Sequence, residues 1–287
     1  MSSFLQQYQR QAKLYIDLPS KGVFYNESII EDNQVTSMPV FGMNAMDEIT
    51  FKTPDALFTG VATSTVMNSC IPHITDPWNL VGYDIDYILI AIRIATYGDT
   101  MPISTRCPHC SEQNDSEILL TKLLENFAHC NITSSFNISD LKINMAPLTY
   151  RQTTDFSMEN FQIERKMLQI GNDENISKDD KETLLQGVFV ESSDLNLRLA
   201  VSYIESIENE NDKEEDQANI LEFIKNNDAE FYTKLREGIT KLTDDWNLPN
   251  IDVLCGNDEC NKEFKTSLNL DYSNFFGSRS LHSRSLI

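Results

Sequence analysis

The most apolar run in the chain is 85–97, interrupted only by Asp86 and Arg93. Two periodicities overlap in it. Ile88, Ile90, Ile92 and Ile94 alternate with Leu89, Ala91, Arg93 and Ala95, the period of a strand. Ile85, Ile88, Leu89 and Ile92 recur at i, i+3, i+4 and i+7, the period of a helix. Length favours the helix, because the run is longer than an ordinary strand and normal for a helix. Asp84 suits the N-cap and Gly98 the position just past the C-terminus. The run is too short to cross a bilayer, which takes about 20 apolar residues.

The rest of the pattern predicts a mostly helical chain. Residues 1–17 read as a short polar helix or arm. Leu18, Pro19, Ser20, Lys21 and Gly22 form a turn signal. Residues 23–25 and 34–40 read as short strands of an N-terminal hairpin with no chemistry of its own. A helical region spans 43–69, broken at Thr53–Pro54, where Pro suits the first helical position. Residues 101–106 read as extended and 111–116 as a polar loop. Residues 141–145 alternate like a strand. Thr149 and Gln152 form a capping box, with a helix to about 170. Ser177 caps a second helix, and a third is expected from about 194 to 207. Residues 205–216 hold seven carboxylates against Lys213 and read as a solvated loop. Ile220, Phe223, Ile224, Phe231, Leu235, Ile239, Leu242 and Trp246 mark amphipathic helices over 220–246, split at 226–228. Pro249 stops them.

Six cysteines in 287 residues change this picture. Cys107–Pro108–His109–Cys110 is a C-x2-C turn, and Cys255 and Cys260 form a C-x4-C turn. Both spacings suit thiolate knuckles for one metal ion. Extended residues precede the first, 251–254 lead into the second and 264–270 lead out of it. A strand–knuckle–strand in each half predicts a zinc ribbon, with Cys107, Cys110, Cys255 and Cys260 holding a structural Zn²⁺. A usual ribbon joins its halves through about 15–20 residues. Here residues 111–254 lie between them, so most of 149–246 would be a helical insertion. Loop-closure entropy tolerates this, at about 0.6 kcal/mol per doubling of length. Two alternatives stand beside the zinc site: a metal-free cluster of thiols, and a redox function for Cys107 and Cys110. The redox motif belongs at a helix N-terminus. His109 reads as exposed rather than ligating. Cys70 and His73 have ligand chemistry, but a buried thiol and a loop histidine explain them. Adjacent His129 and Cys130 are poorly placed to chelate one ion together and read as structural.

Charge and missing motifs bound the function. The net charge of −21 disfavours nucleic acid and anionic membranes, and would steer the chain toward basic partners. No export signal opens the sequence, so the expected compartment is cytoplasmic. There is no phosphate-binding glycine loop, nucleophile elbow or metalloprotease helix motif. The four histidines are scattered at 73, 109, 129 and 282. Four thiolate ligands leave no open position on a metal for catalysis. The expectation is therefore no enzyme. The Ser-rich, locally basic tail 275–287 reads as a disordered terminus, or as an anchor through Phe275 and Phe276.

Several stretches, in order, resemble the baseplate hub assembly proteins of T-even-like contractile-tailed bacteriophages. They are 18–25, Met46–Asp47–Glu48, Cys70 at a helix end, 86–99, the two knuckles, and the closing 268–270 with Phe275 and Phe276. The likeness covers about the first 110 residues and the last 40. It implies a viral tail assembly factor, or chaperone, whose partners are tail, baseplate hub or tape measure proteins, working in the host cytoplasm. A structural hub subunit retained in the virion baseplate is the alternative. A zinc-ribbon regulator of transcription or replication is a second, and its homo- or hetero-oligomeric state stays open. The combined expectation is an α+β, mainly α protein in three parts. Residues 1–148 carry short strands, the buried helix and the first knuckle. Residues 149–248 form the helical insertion, and 249–287 the second knuckle, closing strand and tail.

Overall fold

A computed structural model describes residues 4, 8–127, 135–244, 246 and 250–266. It is α+β, and about half of the described residues are helical. The chain divides into two compact units: Met1–Cys130 with Asn247–Ile287, and Asn131–Trp246. Both knuckles thus belong to the first unit, and residues 131–246 of the chain between them form the second.

In the first unit, β1 (Ala12–Ile16) pairs antiparallel with β2 (Met38–Phe41), Ile16 opposite Met38 and Leu14 opposite Val40. Helices α1 (Ala45–Phe51), α2 (Pro54–Phe58) and α3 (Val61–Cys70) follow. The central element is α4 (Gly82–Tyr97). Ile88, Leu89, Ile90, Ala91 and Ile92 are all fully buried. Consecutive buried positions mean that this helix is covered on every side. Its sequence therefore satisfies both periods, since neither a polar stripe nor a polar alternation is needed. Helix α5 (Leu120–Phe127) closes on it, with the Tyr83 hydroxyl donating to the Phe127 carbonyl at 2.7 Å. Gly42 lies where a Cβ would sit 2.8 Å from the Ala95 carbonyl, so only glycine allows this approach to the end of α4.

The structure corrects the reading of Asp84. The N-cap is Val81, three residues earlier, and Asp84 lies buried in the first turn of α4. It accepts from the Ser20 N–H at 3.0 Å, the Ser20 hydroxyl and the Tyr25 hydroxyl at 2.6 Å. The Tyr25 oxygen also accepts from the Val81 N–H at 3.1 Å. Burial pushes the Asp84 carboxyl up, and the three donors counter it only in part. Residues 18–25 are thus a strap of turns tied to the helix by a carboxylate. They form no strand at 23–25, and β1 stands where a helix or arm was expected.

In the second unit, β5 (Ser135–Ile138), β6 (Leu141–Met145), β7 (Ile204–Glu208) and β8 (Lys213–Glu214) form one antiparallel sheet in chain order. The capping box of Thr149 and Gln152 opens α6 (Tyr150–Asn172). Ser177 caps α7 (Lys178–Ser202), one helix where two were expected. Residues 204–208 leave it as a strand, with Ile204 opposite Met145 and Ile207 opposite Ile143. The helical spacing that ran to Ile207 was coincidental, and sheet pairing overrides it. The acidic stretch 205–216 is accordingly a hairpin, not a free loop, and Ser206 and Ile207 are buried. Helices α8 (Gln217–Lys225) and α9 (Ala229–Asp244) divide where expected, and Ile220, Ile224, Leu235 and Ile239 pack with Ile143, Met145 and Val201.

Candidate metal centre

Two hairpins build the site. Strands β3 (Thr100–Arg106) and β4 (Gln113–Leu119) pair from Thr100↔Leu119 to Arg106↔Gln113. So β4 occupies part of what read as a polar loop. Its alternation of exposed polar residues with half-buried ones is faint, and Asn114 is its buried residue. Strands β9 (Ile251–Leu254) and β10 (Glu263–Thr266) pair from Ile251↔Thr266 to Leu254↔Glu263.

The two turns share a hydrogen-bond frame. The Cys107 N–H donates to the Glu112 carbonyl at 2.9 Å, and the Cys255 N–H to the Lys262 carbonyl at 3.0 Å. Inside the first, the Ser111 N–H closes on the Cys107 carbonyl at 2.8 Å; inside the second, the Asn261 N–H closes on the Asn257 carbonyl at 2.8 Å. Ser111 and Asn261 both adopt positive φ, 64° and 41°. The first closing turn starts at Cys107 itself and the second at Asn257, two residues past Cys255, which is the physical content of C-x4-C against C-x2-C. Asn257 also ties the hairpins together. Its side-chain amide donates to Glu112 Oε2 at 2.8 Å, and the Gly256 N–H donates to Asn114 Oδ1 at 2.6 Å.

The four Sγ atoms lie within 4.8 Å of one another. Cys107 Sγ is 3.9 Å from Cys260 Sγ, and Cys110 Sγ is 3.5 Å from Cys255 Sγ. Metal–sulfur bonds of about 2.3 Å in a tetrahedron put sulfurs about 3.8 Å apart. The donor set therefore fits a tetrahedral ion, and these residues could bind a metal. Cys107 and Cys255 are buried, with Val253 and Phe264 beside them. His109 is exposed and contributes its backbone N–H to Cys107 Sγ, at 3.4 Å.

The electrostatics follow from four ionisable sulfurs in one place. Burial raises the Cys107 thiol, but the N–H groups of Cys110 and His109 and the neighbouring thiols outweigh it and bring it to about 7. The Glu112 N–H lowers Cys110, yet burial and the other thiols win and push it up to about 12. Burial leads the upward shift of Cys260. One thiolate forms readily and the next resists. A cation between them would remove that resistance.

Cys70 is buried at the end of α3, its Sγ 3.9 Å from Asp47 Oδ2. His73 is half-buried in a loop, with Glu31 at 3.9 Å. Among the described residues, the four cysteines are the grouping with metal-ligand geometry. His129, Cys130 and the tail 275–287 lie outside the described residues.

Two polar ties leave no mark in the local sequence pattern. The first joins Asn114 to Gly256 and Glu112 to Asn257. The second is Arg10, which donates to Asp47 Oδ2 at 3.3 Å, the Gly42 carbonyl at 3.0 Å and the Ser69 hydroxyl at 3.1 Å. Both link residues distant along the chain, where no local period exists to announce them.

No curated protein and no solved structure matches the chain. The family model described as T4 bacteriophage base plate protein matches residues 43–277. That span takes in both knuckles, α4 and the whole second unit, and leaves out the strap at 18–25. A match over this much of the sequence establishes the family: the chain belongs to the T4 bacteriophage base plate proteins.

Proposed function

We propose that this protein is a non-enzymatic assembly factor that binds tail or baseplate hub proteins while a contractile phage tail is built in the host cytoplasm. The observation that carries the reading is the family match across 43–277. The clustered cysteines support it, because a four-thiolate site is a closed structural site and offers no position for a substrate. In this reading Zn²⁺ is held by Cys107, Cys110, Cys255 and Cys260, and the two hairpins form a zinc ribbon whose halves flank the second unit in sequence. The net charge of −21 supports protein partners with basic surfaces over nucleic acid.

A second reading, a subunit retained in the virion, is favoured by the family description itself, base plate protein. One pair of measurements separates them. An assembly factor co-purifies with tail proteins from infected cells and is missing from purified virions by mass spectrometry. A retained subunit is present in virions at fixed stoichiometry. A protein that captures no tail component and is missing from virions is neither.

A further inference from the structure

The second unit carries a groove that the metal centre does not involve. A cavity of about 360 Å³ opens between the β7–β8 hairpin and α8, with Leu141, Ile207 and Phe223 on its floor. A second, of about 440 Å³, opens between the β5–β6 turn and the start of α9. They share Leu141 and Phe223 as a common wall. Phe223 is 39% exposed although it lies one turn from the buried Ile220 and beside the buried Ile224. Its ring stands edge-to-face on Phe231, with centroids 5.4 Å apart. An apolar floor is thus held open by a rigid aromatic pair.

The rim is acidic. Glu208, Asp212 and Glu214 line the first cavity, and Asp140, Asp228 and Glu230 line the second. Lysines offset two of these, Lys142 at Glu208 and Lys234 at Glu230, and leave Asp140, Asp212, Glu214 and Asp228 without a lysine partner among the described residues. Lys213 is paired with Glu215 at 2.6 Å and Lys234 with Glu230 at 2.7 Å. The Lys142 ammonium, at 2.6 Å, holds Glu208 below the usual carboxylate range, and the Asp216 N–H does the same for Glu214. Both stay charged at neutral pH.

We infer that this groove binds a basic, amphipathic segment of another protein, one that seats an aliphatic or aromatic side chain against Phe223 between flanking lysines or arginines. Charge complementarity selects the occupant: an apolar anchor alone would satisfy the floor, but only a cationic flank answers the four carboxylates left without a lysine, Asp140, Asp212, Glu214 and Asp228. A second copy of this chain is disfavoured, since it brings another −21 to the contact. The inference names the kind of partner for the binding role proposed above, and rests on that role.

The test uses full-length protein and a fluorescent peptide in which leucine alternates with lysine. Saturable binding is expected, weakening with salt, and reduced at least tenfold by Phe223→Ser and by the double variant Asp140→Lys, Asp212→Lys. The three positions are half-exposed or exposed, and circular dichroism confirms that each variant is folded. No saturable binding, or binding untouched by both variants, overturns the inference. So does a concentration-dependent dimer that Phe223→Ser abolishes in the absence of peptide binding, which assigns the groove to a second copy. Equal capture of tail proteins by wild type and both variants sinks the groove and keeps the assembly role. Peptide binding lost in the variants, with no tail protein captured by the wild type, keeps the groove and sinks that role.

Discussion

The sheet of the second unit and the paired hairpins of the first are held by different means. The four-stranded sheet of the second unit rests on α8 and α9 through eleven buried apolar side chains, among them Ile143, Ile220, Leu235 and Ile239. The cluster that joins the paired hairpins of the candidate metal centre has four buried apolar residues, and two of these are Cys107 and Cys255 themselves. Burial of a side chain contributes about 1.5–3 kcal/mol, and small isolated hairpins are marginal in water. The first system can stand on its own packing. The second is short of apolar surface, and an ion joining its sulfurs would complete it.

The largest effect should therefore come from the sulfurs. Zinc binding at a structural thiolate site is linked to about 10–16 kcal/mol of apparent folding free energy. Cys107→Ser, or prolonged chelation of the wild type, is expected to release one equivalent of zinc. Amide exchange protection should be lost along β3, β4, β9 and β10 while the amides of α9 keep theirs. Elemental analysis and hydrogen exchange read this directly. A zinc-free wild type with protected hairpins would show that packing alone suffices and would erase the contrast.

The complementary lesion is Leu235→Ala, at a fully buried position in α9. Deleting a buried leucine to alanine costs about 2–5 kcal/mol. Chemical denaturation should show that loss with zinc content unchanged. If zinc were released as well, the two systems would share one cooperative transition.

Gly238 gives a smaller test, in which volume is added rather than removed. In an open helix, replacing glycine by alanine stabilises by about 1 kcal/mol. Here an added Cβ would stand 2.3 Å from the Phe136 ring, so α9 touches β5 through this gap. Gly238→Ala should destabilise, by about 1–3 kcal/mol as overpacking does. A rise in melting temperature would mean that the ring swings aside and the contact is loose.

What the sequence disclosed follows the same divide. Both knuckles were legible because ligand spacing is local: C-x2-C and C-x4-C each lie within one turn. Helices α6, α8 and α9 were legible from Thr149 with Gln152 and from the stripe Ile220, Ile224, Leu235, Ile239. Asp84 was misread for the opposite reason. Its meaning lies in Ser20 and Tyr25, dozens of residues away, and in an apolar run a carboxylate looks like a cap. The strands 12–16 and 204–208 were missed because each is short and paired to a distant partner, and β4 because only Asn114 on it is buried. Pairing, not propensity, makes them strands. Residues 204–208 are paired to 141–145, across two long helices.

The smallest effect is electrostatic and belongs to the second unit. Asp194 on α7 accepts from Lys225 on α8 at 2.9 Å and from Arg198, one turn on, at 3.0 Å. The hydrogen bond from Lys225, then that from Arg198, hold its carboxyl below the ordinary value of 3.8. A carboxyl depressed on folding contributes stability that is present above the unfolded pKa and lost as pH falls through the folded one. The side chain is 42% exposed, so solvent screens most of the gain and the contribution is within about 1 kcal/mol. Asp194→Asn should thus lower stability slightly at pH 7, and the gap to wild type should close as the pH falls below 3.8. It should also shrink with added salt, by Debye screening. A gap that persists unchanged at low pH would mean that the asparagine lost packing rather than charge. A metal joining four sulfurs would be one large term in the first unit, whereas Asp194 is one of many separable small terms in the second.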